Sequence, residues 1–364
     1  MTVLRAARAV TPNGIVGPVE IVVDDGVIVA VHDARGPVGE TTFVPGFVDL
    51  QVNGIDDVDV ATADGGDWDR LDELLVAQGT TTWCPTLVTA PLHRYGGALD
   101  RITAAAARDG ARPAIAGAHL EGPFLGDAPG AHTASLVQPI DLDWLAALPA
   151  IVRVVTLGAE PDGALEAIAQ LATRDVLVSI GHSRASFEQV TAAIEAGALL
   201  VTHLFNGMNA LHHRSPGVPG AALTDDRVAV SLIADGVHVH PAVLRLAFSA
   251  KPAHQVVIVT DAVAWRAGHA GSVRIAMRDG APRLADGTLA GSAVTMDDSI
   301  RRIVHECAID LGRAVRAAST NPARLLGLRD RGAIEVGRRA DLVELDDDLR
   351  VRATWIGGQL VHSA

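Results

Sequence analysis

The sequence predicts an α/β protein, a (β/α)8 TIM-like barrel with a small β-sandwich domain formed by both chain ends. Three observations support this prediction. The chain has 364 residues, enough for a barrel of about 250 residues and a small additional domain. Apolar residues make up 49% of the chain and aromatic residues only 3%, so aliphatic side chains must fill the core. Strand-like and helix-like segments alternate through its middle, which is typical of a parallel sheet.

Short runs of β-branched residues occupy both ends of the chain. Residues 19–23 and 27–31 flank an Asp-Asp-Gly segment, and an Asp-Gly pair between such runs predicts a hairpin. Segments 332–336, 340–344 and 351–356 have the same character. Neither end has enough apolar residues for a core of its own. We therefore predict that residues 1–43 and 332–364 form one small β-domain and that residues 44–331 form the barrel.

The middle of the chain contains eight candidate strands, separated by helix-like stretches. We predict the strands at 43–52, 80–84, 114–120, 152–157, 176–180, 199–204, 228–234 and 256–260. The predicted helices include 68–78, 94–108, 163–173, 186–196 and 241–250. Eight such units close into a parallel barrel. An open doubly wound sheet is the alternative, but no glycine-rich phosphate fingerprint follows the first strand.

Charge and composition exclude several classes of partner. The formal net charge is −13, and no cluster of lysine or arginine supplies a basic face for nucleic acid. No apolar run reaches the roughly 18 residues of a membrane span, and the first residues lack the apolar stretch of a signal peptide. Cys84 and Cys307 do not make a disulfide framework. We expect a cytoplasmic protein that binds neither nucleic acid nor membrane.

Polar residues follow the predicted strands at the positions where barrel enzymes carry their catalytic groups. Glu121 follows the third strand, His182 the fifth and Asp261 the eighth, and His203 lies at the end of the sixth. One carboxylate and two imidazoles can hold a divalent metal and leave a position open for water. Asp261 is then the candidate that takes a proton from this water. His238, after the seventh strand, is a further candidate.

Each of these residues also has a structural interpretation when taken alone. A single histidine at a strand end is an ordinary finding, and His238 could be a loop residue. The occurrence of His182 and His203 at consecutive strand ends favours the ligand interpretation. His119 lies two residues before Glu121 and faces the same way on a strand, and we interpret it as structural.

Seven short segments lie at or after the predicted strand ends: PGFVDLQVNG at 45–54, HLEGPF at 119–124, GHS at 181–183, THLFN at 202–206, ADGVH at 234–238, VTDA at 259–262 and LAGS at 289–292. Together they resemble the N-acetylglucosamine-6-phosphate deacetylases of the amidohydrolase superfamily. NPAR at 321–324 and GAIEVG at 332–337 resemble the usual ending of that superfamily. The resemblance covers essentially the whole chain.

The resemblance implies an enzyme that hydrolyses the acetamide of N-acetylglucosamine-6-phosphate to glucosamine-6-phosphate and acetate, in amino-sugar catabolism and recycling. It implies one divalent metal per chain, held by Glu121, His182 and His203. Zinc is the metal we expect first, and iron, manganese and cobalt are alternatives. A metal-bound hydroxide would attack the carbonyl with Asp261 as general base and then acid, while His238 helps to polarise the carbonyl.

The resemblance also implies a substrate-binding set and an assembly. A small phosphorylated amino sugar is the expected partner, with Arg214 meeting its phosphate, and the chain is expected to form a homodimer. The substrate-binding set is Ala131, His132, Asn206, Gly207, Arg214, His238, Leu289, Ala290 and Gly291.

Two departures from the family pattern matter. Gln51 and Asn53 stand where most amidohydrolases have two histidines that support a second metal, and neutral amides are poor ligands for such a site. We therefore predict that the second-metal position is lost. Loop 125–132 carries Asp127 where family members often have basic residues. Either this loop points away from the phosphate, or phosphate recognition depends on Arg214 with His212, His213 and the backbone of Asn206 and Gly207.

Three other interpretations remain. A related amidohydrolase could deacylate another N-acyl substrate, such as an N-acyl amino acid or a cyclic amide, and would not lose affinity when Arg214 becomes Ala. A non-catalytic barrel that serves as a scaffold would have lost the ligand set, which is complete here. A metal-independent binding module would leave the histidines at the strand ends unexplained.

Overall fold

The structure is a computed structural model that describes residues 1–364. Eight parallel strands form its central barrel and are called barrel strands 1 to 8 in chain order: Phe47–Val52, Thr80–Val88, Ala118–Glu121, Val152–Leu157, Leu177–Ile180, Leu200–Val201, Ala229–Leu232 and Val256–Ile258. Each pairs in parallel with the next. A bridge between Val52 and Ala262 joins the last strand to the first. The predicted barrel is confirmed, and the open sheet was the wrong alternative.

Helices surround the barrel and bury their apolar faces against it. Their sequences provide some of their own ends: Ser186 and Gln189 form a reciprocal capping box at the start of Phe187–Ala196. Aliphatic residues dominate the core between helices and strands, as the low aromatic content predicts. The α-helices are Asp67–Ala77, Leu92–Ala106, Leu142–Ala146, Ala164–Ala172, Phe187–Ala196, Gly217–Thr224, Pro241–Ala250, Met296–His305, Leu311–Ala318 and Thr320–Leu325, and Ala134–Leu136 is a 3-10 turn.

The third predicted strand is divided in two. Ala114–Ile115 pairs only with Thr82 and Trp83, and Ala118–Glu121 alone belongs to the barrel. Gly117 lies between them with φ +143°, and a Cβ atom there would collide with Arg153. A glycine in this conformation interrupts the ladder, a local requirement that apolar patterning does not reveal.

Both chain ends contribute to a β-sandwich beside the barrel. Thr2–Ala6, Val19–Asp24 and Val27–Asp33 form a three-stranded sheet, and the predicted hairpin joins the last two. A six-stranded sheet has the order Gln359–Ser363, Val351–Ile356, Leu342–Leu345, Thr42–Pro45, Arg8–Thr11 and Gly14–Val16. The two sheets enclose a separate core that includes Ile21 and Trp355. The boundaries at 43/44 and 331/332 stay a prediction, and the strand Thr42–Pro45 runs across the first of them.

Short hairpins lie after the carboxyl ends of barrel strands 1 and 8. They are formed by Gly54–Ile55 with Val58–Asp59, His269–Ala270 with Val273–Arg274, and Ala276–Arg278 with Ala281–Arg283. Asp59 joins the first two hairpins, because its carboxylate accepts hydrogen bonds from the ring of His269 and the backbone N–H of Gly271. None of the helices combines the length and the apolar character that a membrane span requires.

Candidate active site

A cavity of about 290 Å³ opens at the carboxyl ends of the barrel strands. Nearly all of the residues predicted for the site line it: Asn53, Glu121, Ala131, His132, His182, His203, Asn206, Gly207, His238, Asp261, Leu289, Ala290 and Gly291. Only Gln51 and Arg214 of the predicted set are absent from its wall. Residues from all parts of the chain meet here because parallel strands all end at the same face.

Three ligand atoms converge at the base of the cavity. Oε1 of Glu121 lies 3.2 Å from Nε2 of His182 and 2.9 Å from Nε2 of His203. The two Nε2 atoms are 3.1 Å apart. Ligands about 2.0–2.1 Å from a tetrahedral zinc ion are separated by about 3.3 Å, so these spacings are close to those of a metal site.

The hydrogen-bond partners of His182 support this interpretation. Its Nδ1 lies 3.1 Å from the carbonyl oxygen of Ala128, which can only accept, so Nδ1 carries the hydrogen of the neutral ring. Nε2 then presents a lone pair to the Glu121 carboxylate. Two acceptors that face each other at 3.2 Å repel one another, and a cation between them removes this repulsion. The donor set therefore fits a divalent metal, with Ala128 orienting one ligand.

His132 is a third imidazole close to Glu121. Its Nε2 lies 3.7 Å from Oε2 of Glu121, and Glu121, His132 and His182 could also hold a metal by proximity. The backbone N–H of Thr89 donates to its Nδ1, however, so the neutral ring carries its hydrogen on Nε2. A protonated Nε2 cannot ligate. We therefore favour His203 over His132 as the third ligand and regard His132 as a cavity-wall donor.

The backbone at three of the site residues is left-handed. His182, His203 and Asp261 have φ values of 49°, 31° and 49°. This region is uncommon for residues other than glycine, although asparagine, aspartate and histidine adopt it more often than the rest, and it persists where the surroundings impose it. Each of these residues lies two or three residues beyond the end of its strand, at a turn that places its side chain in the cavity wall.

Two amides hold Asp261 beside the candidate ligands. Nδ2 of Asn53 donates to Oδ1 of Asp261 over 2.7 Å. Nε2 of Gln51 donates to the same oxygen over 3.0 Å and to Oε1 of Glu121 over 2.8 Å. The amides thus donate hydrogen bonds where histidines would present lone pairs to a second metal. This geometry supports the prediction that the second-metal position is lost.

The two acids differ in their protonation. Burial would raise the pKa of Glu121, but its close contacts with the His182 and His203 rings outweigh burial and hold the pKa well below its usual range. Burial and then the negative charge of Glu121 raise the pKa of Asp261 to about 8. A cation held by Glu121 would favour the Asp261 carboxylate and lower this pKa again. Asp261 is therefore poised to accept and release a proton.

Asp235 orients His238. Residue types alone did not predict this contact. Oδ2 of Asp235 lies 2.6 Å from Nδ1 of His238. Its Oδ1 accepts hydrogen bonds from the backbone N–H groups of Val237 and His238. Burial alone would raise the pKa of Asp235. The contacts with His238 lower it by more, so the net shift is downward and the acid is charged. Nδ1 of His238 must donate to it, and Nε2 is the nitrogen left free for a substrate.

The proposed phosphate residue lies outside the cavity. Arg214 is exposed, and its backbone N–H donates to the ring of His212 within a loop that follows Gly207. The cavity wall contains no arginine or lysine. Asp127 is likewise exposed and does not line the cavity, so its negative charge does not face the substrate position.

Several wall residues escaped prediction from sequence. Thr89 contacts His132, because Oγ1 of Thr89 lies 2.8 Å from Nδ1 of the His132 ring. The others are Val88, Gly130, Thr133, Phe205, Ile233, Val263, Ala270, Ser272, Val273 and Thr288. Small and apolar residues in loops carry no chemical signal, so only their proximity in the fold identifies them.

A closed βα barrel whose strand ends bring a carboxylate and imidazoles together defines the class, a barrel enzyme suited to metal-assisted hydrolysis. The sequence pattern of the Amidohydrolase family matches residues 42–361. The chain is 38% identical to the N-acetylgalactosamine-6-phosphate deacetylase of Escherichia coli O157:H7, over 98% of each chain. It is also 38% identical to the N-acetylglucosamine-6-phosphate deacetylase of Homo sapiens, over 92% of this chain and 87% of the human one.

Solved structures agree with these relatives. The N-acetylglucosamine-6-phosphate deacetylase of Thermotoga maritima superimposes with a TM-score of 0.93 at 31% identity over the full length of both chains. An aspartate-to-alanine mutant of the Mycobacterium smegmatis enzyme, in complex with N-acetyl-D-glucosamine-6-phosphate, gives a TM-score of 0.91 at 35% identity, over 100% of this chain and 99% of that one. The chain belongs to the amidohydrolase family, in its N-acetylglucosamine-6-phosphate deacetylase branch.

Proposed function

We propose that this chain removes the acetyl group of N-acetylglucosamine-6-phosphate and releases acetate and glucosamine-6-phosphate. The convergence of Glu121, His182 and His203 within 3.2 Å, next to Asp261, carries the proposal. The names of its relatives support the substrate class, because they act on 6-phosphorylated N-acetyl amino sugars.

Glu121, His182 and His203 would hold one divalent metal. When bound, this metal supplies Lewis acidity, which lowers the pKa of water and polarises a carbonyl. The chain's own residues provide the proton transfers. Asp261 accepts a proton from the water that attacks the acetamide carbon, and it donates that proton to the nitrogen as the C–N bond breaks.

His238 would stabilise the negative charge that develops on the carbonyl oxygen. Its Nδ1 donates to Asp235, so a second proton on Nε2 makes an imidazolium that the Asp235 carboxylate stabilises. A charged donor aimed at a developing oxyanion is a strong contribution to catalysis, often several kcal/mol. His132, with its hydrogen on Nε2, would donate to substrate from beside His182.

Release of acetate by purified protein tests the proposal. N-acetylglucosamine-6-phosphate, N-acetylgalactosamine-6-phosphate and unphosphorylated N-acetylglucosamine should be compared at matched metal content. We expect the first to have the highest kcat/KM and the third to have the lowest. The galactosamine epimer is the second candidate because one relative at 38% identity carries that name. Equal activity on all three would contradict the proposed phosphate preference.

We further propose zinc as the metal, a homodimer and a cytoplasmic location. The Glu-His-His donor set supports zinc but also fits iron, manganese and cobalt. Elemental analysis of protein purified without added metal tests the identity of the ion. Light scattering coupled to size exclusion tests the dimer, and fractionation of the source cells tests the location.

A further inference from the structure

Glu160 joins two segments that both reach the candidate metal centre. It follows barrel strand 4 and is half-buried. Its Oε1 accepts hydrogen bonds from the backbone N–H of Asp127 over 2.8 Å and of Arg184 over 2.7 Å. Its Oε2 accepts a hydrogen bond from the hydroxyl of Ser183. One carboxylate thus binds loop 125–132 on one side and the residues directly after His182 on the other.

Loop 125–132 also contacts His182 itself. The backbone N–H of Gly126 donates to the carbonyl oxygen of His182 over 2.9 Å. Nδ1 of His182 lies 3.1 Å from the carbonyl oxygen of Ala128. The loop therefore orients a candidate metal ligand with one of its carbonyls. Its last residues, Gly130 to His132, form part of the cavity wall.

The approach of Glu160 to the loop requires a glycine at position 126. A Cβ atom on Gly126 would collide with the carboxylate of Glu160. Gly126 is half-buried and its φ angle is not in the left-handed region, so the close approach rather than backbone conformation explains the glycine.

We propose that Glu160 is a positioning residue that couples closure of loop 125–132 to metal binding at His182. With the loop held down, the Ala128 carbonyl fixes the His182 ring in the orientation and tautomer that ligate. Metal bound to His182 in turn favours the closed loop, because a coupling between two equilibria acts in both directions. Residues that orient a ligand in this way typically contribute about 10-fold to 100-fold in metal affinity.

This inference rests on the proposed metal-dependent function, and its test uses Zn²⁺ alone as the probe. Glu160→Ala and Glu160→Gln should be compared with Glu166→Gln, a change at an exposed glutamate in the first turn of the next helix that makes no side-chain hydrogen bond. Zn²⁺ affinity is measured by competition with a chromophoric chelator. Hydrogen exchange of a peptide covering 125–132 reports loop closure, with and without Zn²⁺.

We expect Glu160→Ala to weaken Zn²⁺ binding by about tenfold, to speed exchange of the loop amides and to reduce the protection that Zn²⁺ gives them. Glu160→Gln should have a smaller effect because it keeps one acceptor oxygen. Gly126→Ala should act in the same direction with Glu160 intact, since the added methyl group separates the loop from the carboxylate. Circular dichroism checks that each variant is folded.

Unchanged Zn²⁺ affinity in Glu160→Ala and Gly126→Ala overturns the coupling, even if loop exchange becomes faster, because a merely local anchor would do the same. Failure of the proposed function would appear elsewhere: the wild type itself would bind no Zn²⁺ and release no acetate. Failure of the coupling would appear only in the variants, beside a wild type that does both.

Discussion

The Nε2 atoms of His182 and His203 lie 3.1 Å apart and share Oε1 of Glu121 as a neighbour. We predict that Glu121→Gln and His203→Ala each abolish tight metal binding, because each removes one of three ligands. Elemental analysis should give one metal per wild-type chain and a small fraction of that in the variants. His305→Ala, at an exposed helix end, is the control and should keep its metal.

The wild type should also need only this one ion. Gln51 and Asn53 occupy the second-metal positions as hydrogen-bond donors. Two tightly bound metals per chain, both required for turnover, would contradict the assignment. Chelation should remove activity, and one equivalent of metal should restore it.

Asp261→Asn should nearly abolish turnover while metal content stays intact. An amide cannot take the proton of the attacking water, and general base catalysis typically contributes about 10²-fold to 10⁴-fold. We expect kcat to fall within this range with little change in KM. Asp348→Asn at an exposed turn away from the cavity is the matched control. Near-normal kcat in Asp261→Asn would show that another residue transfers the proton.

Asp235→Asn should lower kcat by about tenfold or more without releasing the metal. The neutral amide does not stabilise an imidazolium at His238, and a charge-assisted hydrogen bond is about twice as strong as a neutral one. Tenfold in rate corresponds to about 1.4 kcal/mol at the transition state. Steady-state kinetics with parallel metal analysis measures the effect. An unchanged kcat would mean that His238 does not act as a charged donor.

Arg214→Ala should raise KM for the 6-phosphorylated substrate and leave kcat/KM for the unphosphorylated sugar unchanged. Arginine suits phosphate because its guanidinium donates two parallel hydrogen bonds. Arg214 is exposed on the loop after Gly207, so it must approach a bound phosphate from outside the cavity described above. Arg227→Ala, at another exposed arginine, controls for loss of charge. An equal fall of kcat/KM on both substrates in Arg214→Ala would exclude a phosphate-specific role for this arginine.

The stability of the metal-free protein should depend on pH through Asp49. Burial raises the pKa of Asp49 from 3.8 to about 7, partly opposed by a hydrogen bond from Thr260. The folded state thus holds a proton that the unfolded state releases above pH 4. This contribution to stability is fully present below about pH 4 and is lost as the pH rises to about 7.

Asp49→Asn removes that titration. We expect the unfolding free energy of the wild type to fall relative to the variant between pH 4.5 and about 7.5, and the difference to stay constant at higher pH. Chemical denaturation in the presence of a chelator measures both proteins. Parallel pH curves would show that Asp49 does not titrate in this range.

The barrel and most of the site were predictable because both depend on local patterns. Alternating strand and helix signals specify a parallel sheet, and the carboxyl ends of its strands must meet at one face. Glu121, His182, His203 and Asp261 stand at the end of such strands or within three residues of it, so the sequence alone brings them to that face. Gln51 and Asn53 identify the missing second-metal position by residue type.

Tertiary structure decided what each group does there. Three histidines lie near Glu121, and only their other contacts distinguish them. The Ala128 carbonyl places the hydrogen of His182 on Nδ1, and the Thr89 backbone N–H places that of His132 on Nε2. These partners come from separate loops.

The same reasoning explains why Asp235 and Glu160 were not predicted and why Arg214 lies outside the cavity. The sequence does not show the role of a carboxylate in a loop, because that role depends on which hydrogen-bond donors the fold places around it. The sequence by itself determined the barrel, the candidate ligands and the family, because residue type and strand position are local properties. Protonation, orientation and coupling depend on contacts between segments far apart in the chain, as when Gln51 reaches Asp261, 210 residues away.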